Sequence, residues 1–241
     1  MAGGRRPPRV FVGTSGYSYT AWRGSFYPEK MPARDMLAFY ARQLGTVEIN
    51  HTFRRLPTAE LVSAWADQVP AGFRFALKAP QRITHHLRLR DANELTATFC
   101  SIATGLKTKL GPLLFQLPPY LRCDVGRLGD FLETLPKGIE AAFEFRHESW
   151  LNDETYAVLR DHGAALCIAD AEGLSTPPVA TAPFGYLRLR REDYGDVDVA
   201  GWAARVRDTG TWKRAYVYFK HEESGRGPEL ARRFLDHCGP R

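Results

Sequence analysis

The sequence has few cysteines, and no two of them are close together. None forms a C-x-x-C motif of the kind that marks redox or zinc sites, and the four are Cys100, Cys123, Cys167 and Cys238. Buried free thiols in a reducing compartment are the simplest account of them. No apolar stretch approaches the length of a membrane span, and the N-terminus has no apolar region of the signal-peptide type. We therefore expect a cytoplasmic protein without a membrane partner.

Dense basic runs and histidine metal motifs are also missing. The net charge of +6 comes from 33 lysines and arginines that are scattered along the chain. This distribution favours solvated faces over a nucleic-acid groove, although it permits an anionic ligand. No H-x-x-E-H pattern is present, and the many nearby cations oppose a carboxylate–imidazole metal site. We predict neither a metal nor a cofactor.

The chain does contain a regular succession of strand-like and helix-like segments. Its 241 residues, 44% of them hydrophobic, suffice for one large core. We predict eight strands, at residues 10–13, 46–50, 73–78, 113–116, 141–146, 165–170, 186–190 and 215–220. Eight strand–helix units form a closed (β/α)₈ barrel. We therefore predict an α/β fold with one irregular TIM-type barrel domain over residues 10–241, preceded by a disordered basic arm over residues 1–9. The irregularity is expected between strands six and seven, where the helix pattern is missing.

The predicted strands alternate between apolar and polar residues. In residues 141–146, Phe143 and Phe145 point to one side, while Glu144 and Arg146 point to the other. The polar members of such strands gather toward the C-terminal ends. Both faces of a parallel sheet are covered, and barrel enzymes carry their sites at the C-terminal mouth. The pattern therefore indicates a polar site inside that mouth.

Side chains two residues apart in a strand lie on the same face. This alternation, applied to every strand, predicts a shared set of polar side chains on the face that lines the barrel lumen. They are Glu48, Asn50, Lys78, Gln116, Glu144, Arg146, Asp170, Arg188, Arg190 and Lys220. A purely structural network of neutralising charges is one interpretation. Replacing a buried ion network by apolar residues is often neutral or stabilising, so stability alone is a weak reason for so many charges. A ligand site is the interpretation that we favour.

Each residue type in the set suggests a chemical role. The carboxylates of Glu48, Glu144 and Asp170 are candidate general acids or bases, and hence candidate catalytic residues. Arginine and lysine side chains can hold a phosphate or a carboxylate, and three histidines follow strand ends. We predict a ligand-binding set formed by Asn50, Lys78, His85, Gln116, Arg146, His147, Arg188, Lys220 and His221.

Three hypotheses about function follow. The first is an enzyme, such as a hydrolase, lyase or isomerase, that acts by acid–base chemistry on a small anionic compound of the phosphorylated or carboxylated sugar type. The second is a nucleic-acid binding or processing protein, suggested by the pI near 9.2 and by the aromatic residues of the first loop. The third is a sensor that binds the same small compound without converting it.

Seven short motifs resemble, in this order, family 72 of the domains of unknown function, the YecE-like proteins. They are GTSGY at 13–17, FYP at 26–28, VEIN with TF at 47–53, FALKA at 75–79, TH at 84–85, FQLPP at 115–119 and EFRH with Trp150 at 144–150. The resemblance runs over nearly the whole chain and implies an irregular TIM-type barrel, but it implies no reaction. The chain departs from the usual pattern at Arg54, at Arg190 and Arg191, and at Lys220 and His221.

Overall fold

The fold is a closed barrel of eight parallel strands. The computed structural model describes residues 7–223 and 225–239, and these form one domain. The strands are β1 Arg9–Ser15, β2 Thr46–Ile49, β3 Arg74–Lys78, β4 Leu110–Gln116, β5 Ala141–Glu144, β6 Ala165–Ala171, β7 Leu174–Ser175, β8 Phe184–Leu189 and β9 Arg214–Phe219. Eight of them pair in parallel around the barrel, and the β5–β6 and β1–β9 pairings close it. The predicted barrel is thus confirmed.

Helices on the outside cover most of the connections between strands. They are α1 Met36–Gln43, α2 Ala59–Asp67, α3 Asn93–Thr104, α4 Val125–Glu133, α5 Asp153–Asp161, α6 Asp196–Asp208 and α7 Arg226–His237. Between β6 and β8 the chain forms the short strand β7, which pairs antiparallel with β6. The irregularity expected between strands six and seven is therefore present. None of the helices in the described ranges is long and apolar enough to cross a membrane.

Side-chain parity divides the core into two layers. The outer layer lies between strands and helices and contains the apolar residues that the alternation assigned to that side, such as Phe75, Phe143 and Val217. The inner layer fills the lumen with smaller and aromatic side chains, among them Ala142 and Tyr216. Filling by side chains makes the barrel interior a packed core, so a ligand can enter only at the ends of the strands.

Strand β1 begins one residue earlier than predicted. Residues 1–6 of the predicted basic arm lie outside the described residues. Arg9, its last residue, already pairs with Arg214 as the first residue of β1. Strand β1 contains Gly13, and a Cβ atom added at this residue would lie 1.8 Å from the carbonyl oxygen of Thr46. Glycine at this position lets β1 lie tightly against β2, which brings Ser15 into register with Glu48.

Candidate functional site

Six strands bring polar side chains to the C-terminal mouth of the barrel. Ser15, Lys78, Gln116 and Glu144 are the last residues of β1, β3, β4 and β5, while Glu48 and Arg188 are the second-last residues of β2 and β8. Parallel pairing in register places these strand ends side by side. We call the group formed by these six residues with Tyr186, Arg146 and Arg190 the mouth cluster.

Arg188 is the centre of the mouth cluster. Its guanidinium donates hydrogen bonds to Oε2 of Glu144 and, at 2.9 Å, to Oε1 of Glu48. The side chain is 2% exposed, and both carboxylates are fully buried. Burial disfavours the charged guanidinium, but Glu144 and Glu48 outweigh it and raise the pKa of Arg188. The guanidinium therefore stays charged and ties β2, β5 and β8 together.

Glu144 is surrounded by guanidinium groups. Besides Arg188, Nε of Arg146 donates to its Oε1, and Arg190 lies 4.0 Å from the same oxygen. Burial works against ionisation, but the charges of Arg188, Arg146 and Arg190 hold the pKa of Glu144 at about 2. This carboxyl group is ionised at neutral pH and is a poor proton donor there.

Glu48 is held by three different donors. It accepts hydrogen bonds from Oγ of Ser15, from the Tyr186 hydroxyl at 2.7 Å and from Arg188. Burial raises the pKa of Glu48. The charge of Arg188 and the hydrogen bonds from Ser15 and Tyr186 lower it by more, so that the pKa is below its usual value. Ser15 also accepts a hydrogen bond from Nδ2 of Asn50 at 2.7 Å, which extends the network to the loop after β2.

Lys78 lies at the edge of the mouth cluster. Its Nζ donates to Oε1 of Gln116 at 2.8 Å and sits 4.0 Å from the centre of the Phe53 ring. The residue is 9% exposed. Burial and the charge of Arg188 lower the pKa of Lys78 to about 8, against the opposing effect of Glu48 and Glu144. Lys78 is thus a mouth-cluster group that titrates near neutral pH.

His85 borders the cluster through an aromatic contact. Its ring packs edge-on against Phe53 with 5.0 Å between the ring centres, and its Nδ1 lies 2.9 Å from the Thr84 hydroxyl. Burial, followed by the charge of Lys78, lowers the pKa of His85. The imidazole is therefore neutral at neutral pH and lies beside the Lys78 amine.

The prediction that Asp170 faces the lumen is wrong. The lumen residues of β6 are Ala165 and Cys167, so Asp170 has the opposite parity. Its Oδ2 accepts hydrogen bonds from the Tyr194 hydroxyl at 2.8 Å and from Nε1 of Trp202 at 3.1 Å. Asp170 thus ties β6 to α6 and the loop before it, outside the barrel.

Three other predicted residues also lie apart from the mouth cluster. Lys220 follows the end of β9, is 42% exposed and faces Glu222 at 3.7 Å. Nε2 of His221 lies 2.6 Å from the Arg191 carbonyl oxygen in the outer layer. Nδ1 of His147 accepts from the backbone N–H of Ser149 and caps a short helical turn. The structure brings together Glu48, Asn50, Lys78, Gln116, Glu144, Arg146 and Arg188, with His85 at their edge.

Sequence reasoning missed three members of the site. Ser15 and Tyr186 both donate to Glu48, and Phe53 forms the surface under Lys78 and His85. A signal for Tyr186 was present, because it lies two residues before Arg188 on the same face of β8. Ser15 is the last residue of β1, two residues beyond the predicted end of that strand, and Phe53 lies in the short helical turn after β2, so neither residue was in a predicted strand.

The described ranges contain no group of three or more His, Cys, Asp or Glu side chains that could hold a metal ion. The carboxylates of the mouth cluster are instead engaged by guanidinium groups and hydroxyls. These donors occupy the oxygen atoms that a hard cation would need. The carboxylate oxygens of the mouth cluster are therefore already used in ion pairs and hydrogen bonds.

A second opening lies at the N-terminal end of the barrel. A cavity of about 1210 Å³ is lined there by residues from both ends of the chain, among them Arg9, Phe11, Trp212 and Asp236. Residues 1–6 and 240–241, which adjoin this lining in sequence, lie outside the described ranges, so we assign the cavity no ligand. Enzymes of this architecture act at the opposite end.

A family model and curated relatives match this chain. The sequence model described as "Protein of unknown function DUF72" matches residues 11–241. The UPF0759 protein YecE of Escherichia coli is 34% identical over 109 residues, which are 45% of this chain and 40% of that protein. The UPF0759 protein YunF of Bacillus subtilis is 26% identical over 71% of this chain and 64% of that protein. The matches thus span less than two thirds of the length of these relatives.

Solved structures agree with the sequence match. A DUF72 family protein of Thermotoga maritima, 27% identical, superposes with a TM-score of 0.83 over 95% of this chain and 98% of that one. The 3,6-anhydro-D-galactonate cycloisomerase of Zobellia galactanivorans, 10% identical, reaches a TM-score of 0.52 over 94% of this chain and 58% of that one, which shows the barrel fold alone. Family model, curated relatives and structural neighbours together show that this chain belongs to the DUF72 family.

Proposed function

We propose that this protein binds a small polar anion, a phosphorylated or carboxylated compound, at the C-terminal mouth and acts on it as an enzyme. One observation carries the proposal. Four cations, Lys78, Arg146, Arg188 and Arg190, meet only two carboxylates, Glu48 and Glu144, in the mouth cluster. Two positive charges in excess are costly in a desolvated place, and an anionic ligand would relieve that cost.

The accessible side of the cluster is cationic. The side chains of Arg146 and Arg190 are 24% and 18% exposed, whereas both carboxylates are fully buried beneath them. An incoming compound would therefore meet guanidinium groups that can bind a phosphate or carboxylate in bidentate fashion. The Lys78 ammonium lies nearby as a further point charge.

The roles proposed here for the carboxylates differ from the expected acid–base roles. Glu48 and Glu144 are fully buried, and neighbouring donors lower the pKa of each. We assign them as positioning residues that fix Arg188 and Arg146 before the ligand arrives. Asp170 is not part of this assignment, because its carboxylate binds Tyr194 and Trp202. The nucleic-acid and sensor hypotheses remain predictions.

Calorimetric titration with inorganic phosphate and with malonate at low ionic strength tests the proposal. Arg190→Met and Arg146→Met should each weaken binding about tenfold or more, because a hydrogen bond to a charged group contributes roughly 1.5–3 kcal/mol. Arg160→Met, an exposed position on α5, is the matched control and should leave affinity unchanged. Failure of the unaltered protein to bind either anion, or equal affinity in all three variants, would overturn the proposal.

A further inference from the structure

We propose that Lys78 is a catalytic residue that forms an imine with a carbonyl group of the bound anion. The substrate would then be an anionic aldehyde or ketone. This inference deepens the proposed function and rests on it, because the guanidinium groups of the mouth cluster would deliver the carbonyl compound to the amine.

Burial sets Lys78 apart from the other lysines. All seven lysines lie in the described ranges, and Lys78 is the one that is buried. Its neighbours in the mouth cluster are arginines, which stay protonated in proteins. A lysine among them adds one property that they lack, since a neutral amine is a nucleophile that can form a Schiff base.

Two contacts fix the position of the Lys78 amine. Gln116 on the adjacent strand β4 accepts a hydrogen bond from Nζ at 2.8 Å, and Phe53 lies beneath Nζ at 4.0 Å. Both contacts hold the amine at the strand end, next to Arg146 and Arg188, where residual exposure of 9% leaves an approach from the mouth. A carbonyl compound whose anionic group is bound by Arg146 or Arg190 would thus reach a fixed nucleophile.

Charge and burial supply the reactive protonation state. A pKa of about 8 leaves an appreciable fraction of the Lys78 amine neutral at neutral pH, whereas an ordinary lysine has almost none. His85 contacts the same Phe53 ring, and its lowered pKa keeps it neutral and able to accept a proton. The buried carboxylates Glu48 and Glu144 are too strongly ion-paired for that task.

The proposed step balances without an oxidant or a reductant. Neutral Nζ adds to the carbonyl carbon, a C–N bond forms, and the π electrons of the C=O bond move to oxygen, which takes up the proton released by nitrogen. The hydroxyl of the resulting carbinolamine takes up a proton from the solvent and leaves as water, while the nitrogen lone pair forms the C=N bond, so that a protonated imine remains. That cation withdraws electrons from the adjacent carbon, which is the activation needed for a lyase or an isomerase.

Reductive trapping tests the proposal. The protein is incubated with glyoxylate, an anionic aldehyde, and with sodium cyanoborohydride, which reduces any imine to a stable secondary amine. Peptide mapping by mass spectrometry then gives the rate of labelling at each lysine. We expect Lys78 to be labelled at least about tenfold faster than Lys137, an exposed lysine, because more of its amine is neutral.

Variants and a second probe separate this inference from the proposed function. Lys78→Arg should remove the fast label, whereas Lys137→Arg, at an exposed position outside the mouth cluster, should retain both the fast label and the binding of inorganic phosphate. Labelling of Lys78 in the unaltered protein no faster than at Lys137, with phosphate still bound, would overturn the imine and leave anion binding intact. Equally fast labelling by uncharged glycolaldehyde, with no competition by phosphate, would support the imine and overturn the anionic substrate.

Discussion

Both ends of the barrel carry arginines paired with glutamates, yet the two ends differ in burial. At the mouth, Arg188 bridges Glu48 and Glu144, and these three side chains are at most 2% exposed. At the N-terminal end, Arg214 contacts Glu140 at 2.5 Å, but these side chains are 40% and 27% exposed. Ion pairs of similar chemistry are therefore partly exposed at one end of the barrel and buried in its core at the other.

The count of charges does not distinguish the two ends. Arg74 interacts with Arg9 and Arg214 as well as with Glu140, so that three cations gather near one carboxylate at the N-terminal end. Water partly screens those charges, and partly exposed pairs contribute less to stability than buried ones. At the mouth the same excess surrounds two fully buried carboxylates, which makes each charge costly and each interaction strong. Burial, more than sequence composition, singles out the mouth as the candidate site.

The largest difference between the two ends should appear on removing one carboxylate from each. Glu144→Gln leaves Arg188 and Arg146 without their shared partner in the core, and we expect it to lower the free energy of unfolding by about 3–5 kcal/mol. The same change at Glu140 should cost at most about 1 kcal/mol. Chemical denaturation followed by circular dichroism measures both. Equal losses for the two variants would remove the contrast between the ends.

A smaller difference is expected between two buried tyrosines of the lumen. The Tyr186 hydroxyl donates to the carboxylate of Glu48, whereas the Tyr218 hydroxyl pairs with the neutral hydroxyl of Thr46 at 2.9 Å. Tyr186→Phe should cost about 1.5–3 kcal/mol and Tyr218→Phe about 1 kcal/mol, because hydrogen bonds to charged groups are the stronger ones. Thermal unfolding of both variants tests this order, and a larger loss for Tyr218→Phe would contradict it.

A further effect concerns the dependence of stability on pH. The pKa of Lys78 is about 8 in the folded protein, below the roughly 10.4 of an unfolded chain. Between these values the unfolded chain binds more protons, so stability should rise with pH there, by at most about 1.4 kcal/mol per pH unit. Relative to Lys78→Met, the unaltered protein should therefore become more stable from about pH 8 to about pH 10. A constant difference between the two proteins would show that the cations around Lys78 do not act as described.

The sequence contains enough information for the barrel and for part of the mouth. Large apolar residues on one face of a strand indicate both where the strand lies in the sequence and which face packs against the helices. Phe143 in β5 and Phe145 just after it are an example. The same alternation identified Glu144 and Arg146 as neighbours inside the mouth, where they are ion-paired. Periodicity succeeds here because one face is strongly apolar and the other is charged.

Other parts of the site could not be found in this way. In strand β6, Ala165 and Cys167 alternate with Leu166 and Ile168, so both faces of the strand are apolar. The sequence therefore does not indicate which face points into the lumen. A charge at its end was therefore assigned to the lumen, although Asp170 binds Tyr194 and Trp202 outside. Contacts across the barrel, such as that between Tyr186 and Glu48, depend on the closure of the sheet, which local patterns do not encode.

The most direct test of the anion site is a crystal structure determined in the presence of selenate, with its position found by anomalous scattering. We predict a selenate ion at the C-terminal mouth, within hydrogen-bonding distance of Arg146 and Arg190 and close to Lys78. An empty mouth, with selenate bound only beside Arg74 and Arg214 at the N-terminal end, would contradict the central claim that the desolvated excess of cations is the ligand site.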